Sequence, residues 1–182
     1  MPENLGTQPA IVEKLATSDP EQQADVLRKL CNLESVHGIC LQVIALSRSQ
    51  DDDVRMWSAE ALETSIQPTS ADIPGLVQTL KTSDEADVCY WAATMLGRLG
   101  TEAASASQAL AAFAETSEHL AAREQAVWAL CQLGPAASHA ILTMQRIAED
   151  APARLHRMVQ HAIERLQGEN DQGIDDSAEK AA

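Results

Sequence analysis

The sequence predicts an all-α fold, a right-handed α-solenoid of about five stacked helix pairs. Three observations carry this. The chain repeats itself: "DVRMWSAEAL" at 53–62 returns as "DVCYWAATML" at 87–96, with Asp, Val, Trp, Ala and Leu in register 34 residues on. Apolar residues recur with helical spacing, and no segment alternates with the period of two that a half-buried strand needs. Composition agrees, because aromatic residues are 3 % of the chain and alanine is abundant, which suits helices packed through small aliphatic side chains.

The second helix of each pair is the clearer one. "QADVLRKLCNL" (23–33), "DVRMWSAEAL", "DVCYWAATMLGRLG" (87–100), "AAREQAVWALCQLG" (121–134) and "RLHRMVQHAIERLQG" (154–168) align on Leu30, Leu62, Leu96, Leu130 and Ile163. First helices are read over "PAIVEKLAT" (9–17), "VHGICLQVIALSRS" (36–49), "DIPGLVQTLKTS" (72–83), "AASASQALAAFAETS" (103–117) and "AASHAILTMQRIAED" (136–150). In the last of these, Ile141, Met144, Ile147 and Ala148 form one helical face.

The turns supply the punctuation. "SDPE" (18–21), "SQDDD" (49–53), "TSDE" (82–85), "TSEH" (116–119) and "EDAP" (149–152) each precede a second helix, where Ser and Asp oxygens can cap free N–H groups. Pro20 and Pro152 suit a first turn, and Gly100, Gly134 and Gly168 follow the last periodic residue of their helices. The expected organisation is a flexible N-terminus (1–7), repeats at about 8–33, 35–66, 71–100, 101–134 and 135–168, and a disordered acidic tail (169–182).

Other helical repeats of this length are excluded by their motifs. A tetratricopeptide unit needs "W-x2-L-G-x2-Y", yet Glu60 and Ala61 follow Trp57, and the ankyrin "T-P-L-H" turn is absent. What recurs is Asp-x-x-Val-Arg, as in "DDDVR" at 51–55, then small residues, Leu and Gly. This resembles the HEAT repeat family, in particular its short, phycobilisome-lyase-like form, over nearly the whole chain. The best copies are 51–66, 84–100 and 118–134. The Arg recurs at Arg55 and Arg123, with Cys89 and His156 at the equivalent positions. The resemblance implies that the helix bearing this motif lines the concave side.

Helix geometry divides the faces of the second helices. Val54, Ser58, Ala61 and Leu62, then Val88, Ala92, Met95 and Leu96, then Ala126, Ala129, Leu130 and Leu133, should be buried. The opposite face carries Met56, Glu60 and Glu63, then Tyr90, Thr94 and Gly97, then Glu124, Trp128 and Cys131, then Arg157, His161 and Glu164. Stacking sets two rows: Met56, Tyr90, Glu124, Arg157, and Glu60, Thr94, Trp128, His161. These eight are the candidate partner-binding residues. Trp57 and Trp91 are read as core fillers between repeats, and Tyr90 and Trp128 as surface anchors, since exposed Trp and Tyr are common at interfaces.

Charge limits the partners. The net charge is −14, which argues against nucleic acid, and residues 1–90 hold 15 acids against 6 bases. Arg154, Arg157 and Arg165 make the last repeat mildly basic. No stretch approaches the ~20 apolar residues that cross a bilayer, and the N-terminus has no signal layout, so no membrane and a cytoplasmic location are expected. Cys31, Cys40, Cys89 and Cys131 are expected as free thiols packed as small apolar groups.

Catalytic signals are thin. A phosphate loop, GxSxG and HExxH are all absent. HEAT-built hydroxylases bind iron through His-Glu pairs, and this chain has none; His156 and His161 are five apart, a poor metal spacing on a helix. No catalytic residue, metal or cofactor is therefore expected. The expected function is a non-catalytic scaffold or adaptor that binds a protein on the concave face. The alternative is a lyase-like or chaperone-like subunit acting on a tetrapyrrole (bilin) or other small ligand.

Overall fold

The computed structural model describes residues 8–167, so the expected flexible N-terminus and acidic tail, and Gly168, lie outside the described residues. Within it the helices come in five consecutive pairs: α1 (Gln8–Leu15) with α2 (Pro20–Leu30), α3 (Cys40–Leu46) with α4 (Asp52–Thr64), α5 (Ile73–Thr82) with α6 (Ala86–Arg98), α7 (Ser107–Thr116) with α8 (Leu120–Leu133), and α9 (Ile141–Asp150) with α10 (Ala153–Gln167). Like packs on like along most of the stack. Even-numbered helices meet at α2–α4, α6–α8 and α8–α10, and odd-numbered helices at α1–α3, α5–α7 and α7–α9. The result is the all-α, two-layered helical stack that the repeat predicts.

One core runs through the array. All twelve positions assigned to the buried face of α4, α6 and α8 are buried, and the aligned Leu30, Leu62, Leu96 and Leu130 are fully so. Burying each of these leucines contributes on the order of 2 kcal/mol. Small residues let the backbones approach. Trp128 of α8 lies directly over Gly97 of α6, where a Cβ would sit 2.3 Å from the ring and 3.0 Å from the Ala129 Cα.

Four of the five turns between paired helices share one design that single-helix reasoning did not show. The hydroxyls of Thr17, Ser49, Ser83 and Ser117 accept the N–H groups of Asp19, Asp51, Glu85 and His119, each two residues on, at 3.2–3.3 Å. Side-chain caps then follow only at α2, where Asp19 accepts from Glu21 and Gln22, and at α4, where Asp51 accepts from Val54. Glu85 and His119 stand at the cap positions of α6 and α8 without a side-chain cap bond.

The position after the repeated Val carries a second shared contact. Arg55 donates to the Ser49 carbonyl at 2.7 Å, Cys89 to Ser83 at 3.3 Å, Arg123 to Ala114 at 2.8 Å and His156 to Ala148 at 2.8 Å. Three different side chains thus satisfy a carbonyl left free at or just past the end of the preceding helix, the groups that a helix cannot satisfy itself.

Several first helices start later than their sequence pattern suggests. Residues 36–39, expected as helix, are not helical. Val36 and Ile66 form a single parallel bridge, with Val36 N–H to the Ser65 carbonyl and Gln67 N–H to the Val36 carbonyl, both 2.9 Å. Gly38 turns the chain into α3 with φ +76°. Residues 100–106 and 134–140 form 3-10 turns ahead of α7 and α9. Gly100 and Gly134 open them at φ +55° and +60°, positive values that favour glycine.

Candidate functional site

The array has one irregular junction. Between the second and third pairs, α4 and α6 lack the close seam that joins α6 to α8, and α3 packs diagonally onto α6 instead. Large side chains stand in this junction. Trp91 is buried at 8 % exposure, and Tyr90 meets its ring edge-on with centroids 5.3 Å apart. At the far end, Arg98 of α6 reaches across to the end of α4 and donates to the Leu62 carbonyl at 2.5 Å and to the Glu63 carboxylate at 3.3 Å. The guanidinium thereby serves the carbonyl-rich end of a neighbouring helix, a charge-assisted contact.

At the near end the junction opens as a surface groove of about 550 Å³. Met56 and Ala59 of α4, Tyr90 and Trp91 of α6 and Ala121 at the start of α8 form its apolar part. Met56 is 53 % exposed, unusual for a large apolar side chain in this protein. Asp52 and Asp87 edge the groove. Arg55, which also lines it, is held by Asp52 and by the Ser49 carbonyl.

Of the eight candidate residues, the structure brings Met56 and Tyr90 into this groove and places the others elsewhere. Glu60, Arg157 and His161 are exposed. Glu124 is bound by Arg154 at 3.2 Å, and its side chain is 14 % exposed. Trp128 is half-buried against Gly97. Thr94 corrects the expected outward face: it is 5 % exposed, and its hydroxyl donates to the Tyr90 carbonyl at 2.8 Å. Gly97 and Cys131 are buried as well. The physical reason is the next helix in the stack, α8 over Thr94 and Gly97 of α6 and α10 over Cys131 of α8, which covers a flank that a single helical wheel leaves open. Trp57, read as a core filler, is half-buried and lines a second groove beside α2. The groove residues Asp52, Ala59 and Asp87 were not singled out; the acids that open α4 and α6 were their only sequence signal.

The thiols and imidazoles are occupied structurally. All four cysteines are free, and burial pushes each thiol up, Cys40 to about 12. A thiol so shifted is protonated near neutrality and is a poor nucleophile. His156 is tied to the Ala148 carbonyl, whereas the His161 Nδ1 faces the Cys131 thiol at 3.5 Å, so the two imidazoles have different partners.

The model of the HEAT repeats family matches residues 41–131 and again 73–164. The chain belongs to the HEAT repeat family. No curated protein matches it. The two matched spans overlap across α5 to α8, the tightly packed middle of the array. Among the described residues, no helix of this HEAT array is long and apolar enough to cross a membrane.

Proposed function

We propose that this HEAT array is a non-catalytic scaffold that grips a protein partner on the face formed by its even-numbered helices, at the α4–α6 junction. One observation supports it above the rest: an apolar groove containing the half-exposed Met56 and the Tyr90 ring sits where the regular packing of the array opens. Aromatic and methionine side chains beside such a groove are the residue types that anchor interfaces. The exposed candidates Glu60, Arg157 and His161, with Glu124 and Trp128, extend the same face toward α10 as a polar rim; buried Thr94 acts only by shaping it. The reading carries a cytoplasmic setting with it, in keeping with four free thiols. It also keeps the short, phycobilisome-lyase-like form of the repeat as a description of its length and motif, not of its activity. No observation favours a tetrapyrrole-handling subunit, because the groove is open and the thiols are held protonated.

The test is affinity capture from native lysate with the wild-type chain beside Met56→Asp/Tyr90→Ala, followed by binding of the captured protein in purified form. Met56 is chosen over Trp128 because truncating Trp128 would empty the space above Gly97. A purified protein that binds the wild type and loses affinity for the variant, at unchanged helicity, is the expected result. A partner that binds both equally would overturn the site.

A further inference from the structure

The α4–α6 groove is one of two that flank the start of α4. The second, about 380 Å³, lies between α2 and α4 and holds Glu21, Asp51 and Asp53 beside Trp57. Each groove therefore has an apolar wall from α4 or α6 and carboxylates along its edge. The bases nearby are already engaged. Arg28 is bound to Asp25 at 2.7 Å, and Arg55 to Asp52 and the Ser49 carbonyl. Among the described residues, Glu21, Asp53 and Asp87 have no ion pair.

We propose that the two grooves together seat one extended segment of a protein partner, with Lys or Arg side chains entering both, laid across the first two turns of α4. This rests on the scaffold reading above and gives its face a partner chemistry. The long apolar stem of Lys or Arg would lie on Met56, Trp57 and Tyr90, with its charged head at Asp53 or Asp87. Acids at a helix start have a local role too, and Asp51 fills it by capping Val54. That role does not account for an exposed methionine among them. The same carboxylates repel nucleic acid, anionic lipid and acidic peptides. Spacing follows from geometry. Successive seams of packed helices are about 10 Å apart, and a polyproline-II-like extended chain rises about 3.1 Å per residue and returns a side chain to the same face every third residue, so the entering basic residues stand about three positions apart.

The test is a fluorescence-anisotropy titration of the full chain with a labelled nine-residue peptide bearing Arg at every third position, beside the same peptide with Gln for Arg, at near-physiological salt. The Arg peptide is expected to bind and the Gln peptide not. Asp53→Asn/Asp87→Asn should weaken binding about fivefold, as two exposed charge pairs allow. Glu149→Gln/Glu164→Gln, an equal charge change on α9 and α10, should leave it within about twofold. Met56→Ser, at an exposed position that leaves the helix caps untouched, should also weaken it. Equal losses from both double variants, or no preference for Arg over Gln, would overturn the proposal. The two readings fail separately. A captured partner that protects α4 and α6 through a segment without Lys or Arg overturns this chemistry alone. One that protects only the odd-numbered helices overturns both.

Discussion

Helices α4 and α6 are two copies of one sequence and two different structures. Each is 13 residues long, and they share five of ten positions in the repeat. Yet α6 buries nine of its residues and α4 four. The cause lies in their neighbours. On one side α6 is closed by α8, which comes near enough for Trp128 to lie on Gly97. The facing flank of α4 has no such cover, so Met56 stays exposed where its counterpart Tyr90 turns edge-on to Trp91. In a stacked array each unit depends on its nearest neighbours, so one loosened seam leaves the rest intact. The tight seam holds the array together, and the open one leaves surface uncovered.

Substitutions should separate the two seams in a graded way. The largest effect is expected at Leu130, fully buried in α8, where Leu130→Ala should cost about 2–5 kcal/mol in urea unfolding. Gly97→Ala should cost about 1–3 kcal/mol, because the Ala129 backbone cannot move away as a flexible side chain could. A melting point unchanged by Gly97→Ala would mean that the α6–α8 seam is looser than described. Arg98→Ala, which removes the bridge at the far end of the open seam, should cost about 1–2 kcal/mol. Met56→Ser should change stability by less than about 0.5 kcal/mol, and a larger loss would show Met56 to be core.

The thiols give a pH test of the same packing. Cys40 is raised from its ordinary 9.0 to about 12, by burial first and by the Asp72 charge second. Between those values the unfolded chain releases the Cys40 proton and the folded chain keeps it. Stability should therefore fall as pH rises through that window. Alkylation of the folded protein, followed by mass spectrometry, should modify half-buried Cys31 before Cys40. Cys40 reacting first would contradict its burial.

The second helices were legible because two local signals coincide in them, a 3.6-residue apolar period and acids or serines just ahead. Val88 and Leu96 are buried where that period puts them. The first helices were less legible for a local reason. The Ala- and Ser-rich runs before Ser107 and Ile141 favour a helix but do not say which kind, and both begin as 3-10 turns. The strand-like bridge at Val36 depends on Ile66, a partner that no local pattern names. The site was legible in part. Met56 and Tyr90 follow from the repeat register, whereas the burial of Thr94 and the opening between α4 and α6 are properties of neighbouring helices. The shared contact made by Arg55, Cys89, Arg123 and His156 was hidden because three unlike side chains perform it.

Hydrogen exchange of the full chain with and without its captured, purified partner tests the central claim most directly. Added protection centred on 52–60 of α4 and 86–94 of α6, reaching α2 where the second groove is filled, with α8 already protected before the partner is added, is the predicted result. Protection appearing on α5, α7 and α9 while α4 exchanges as before would contradict it.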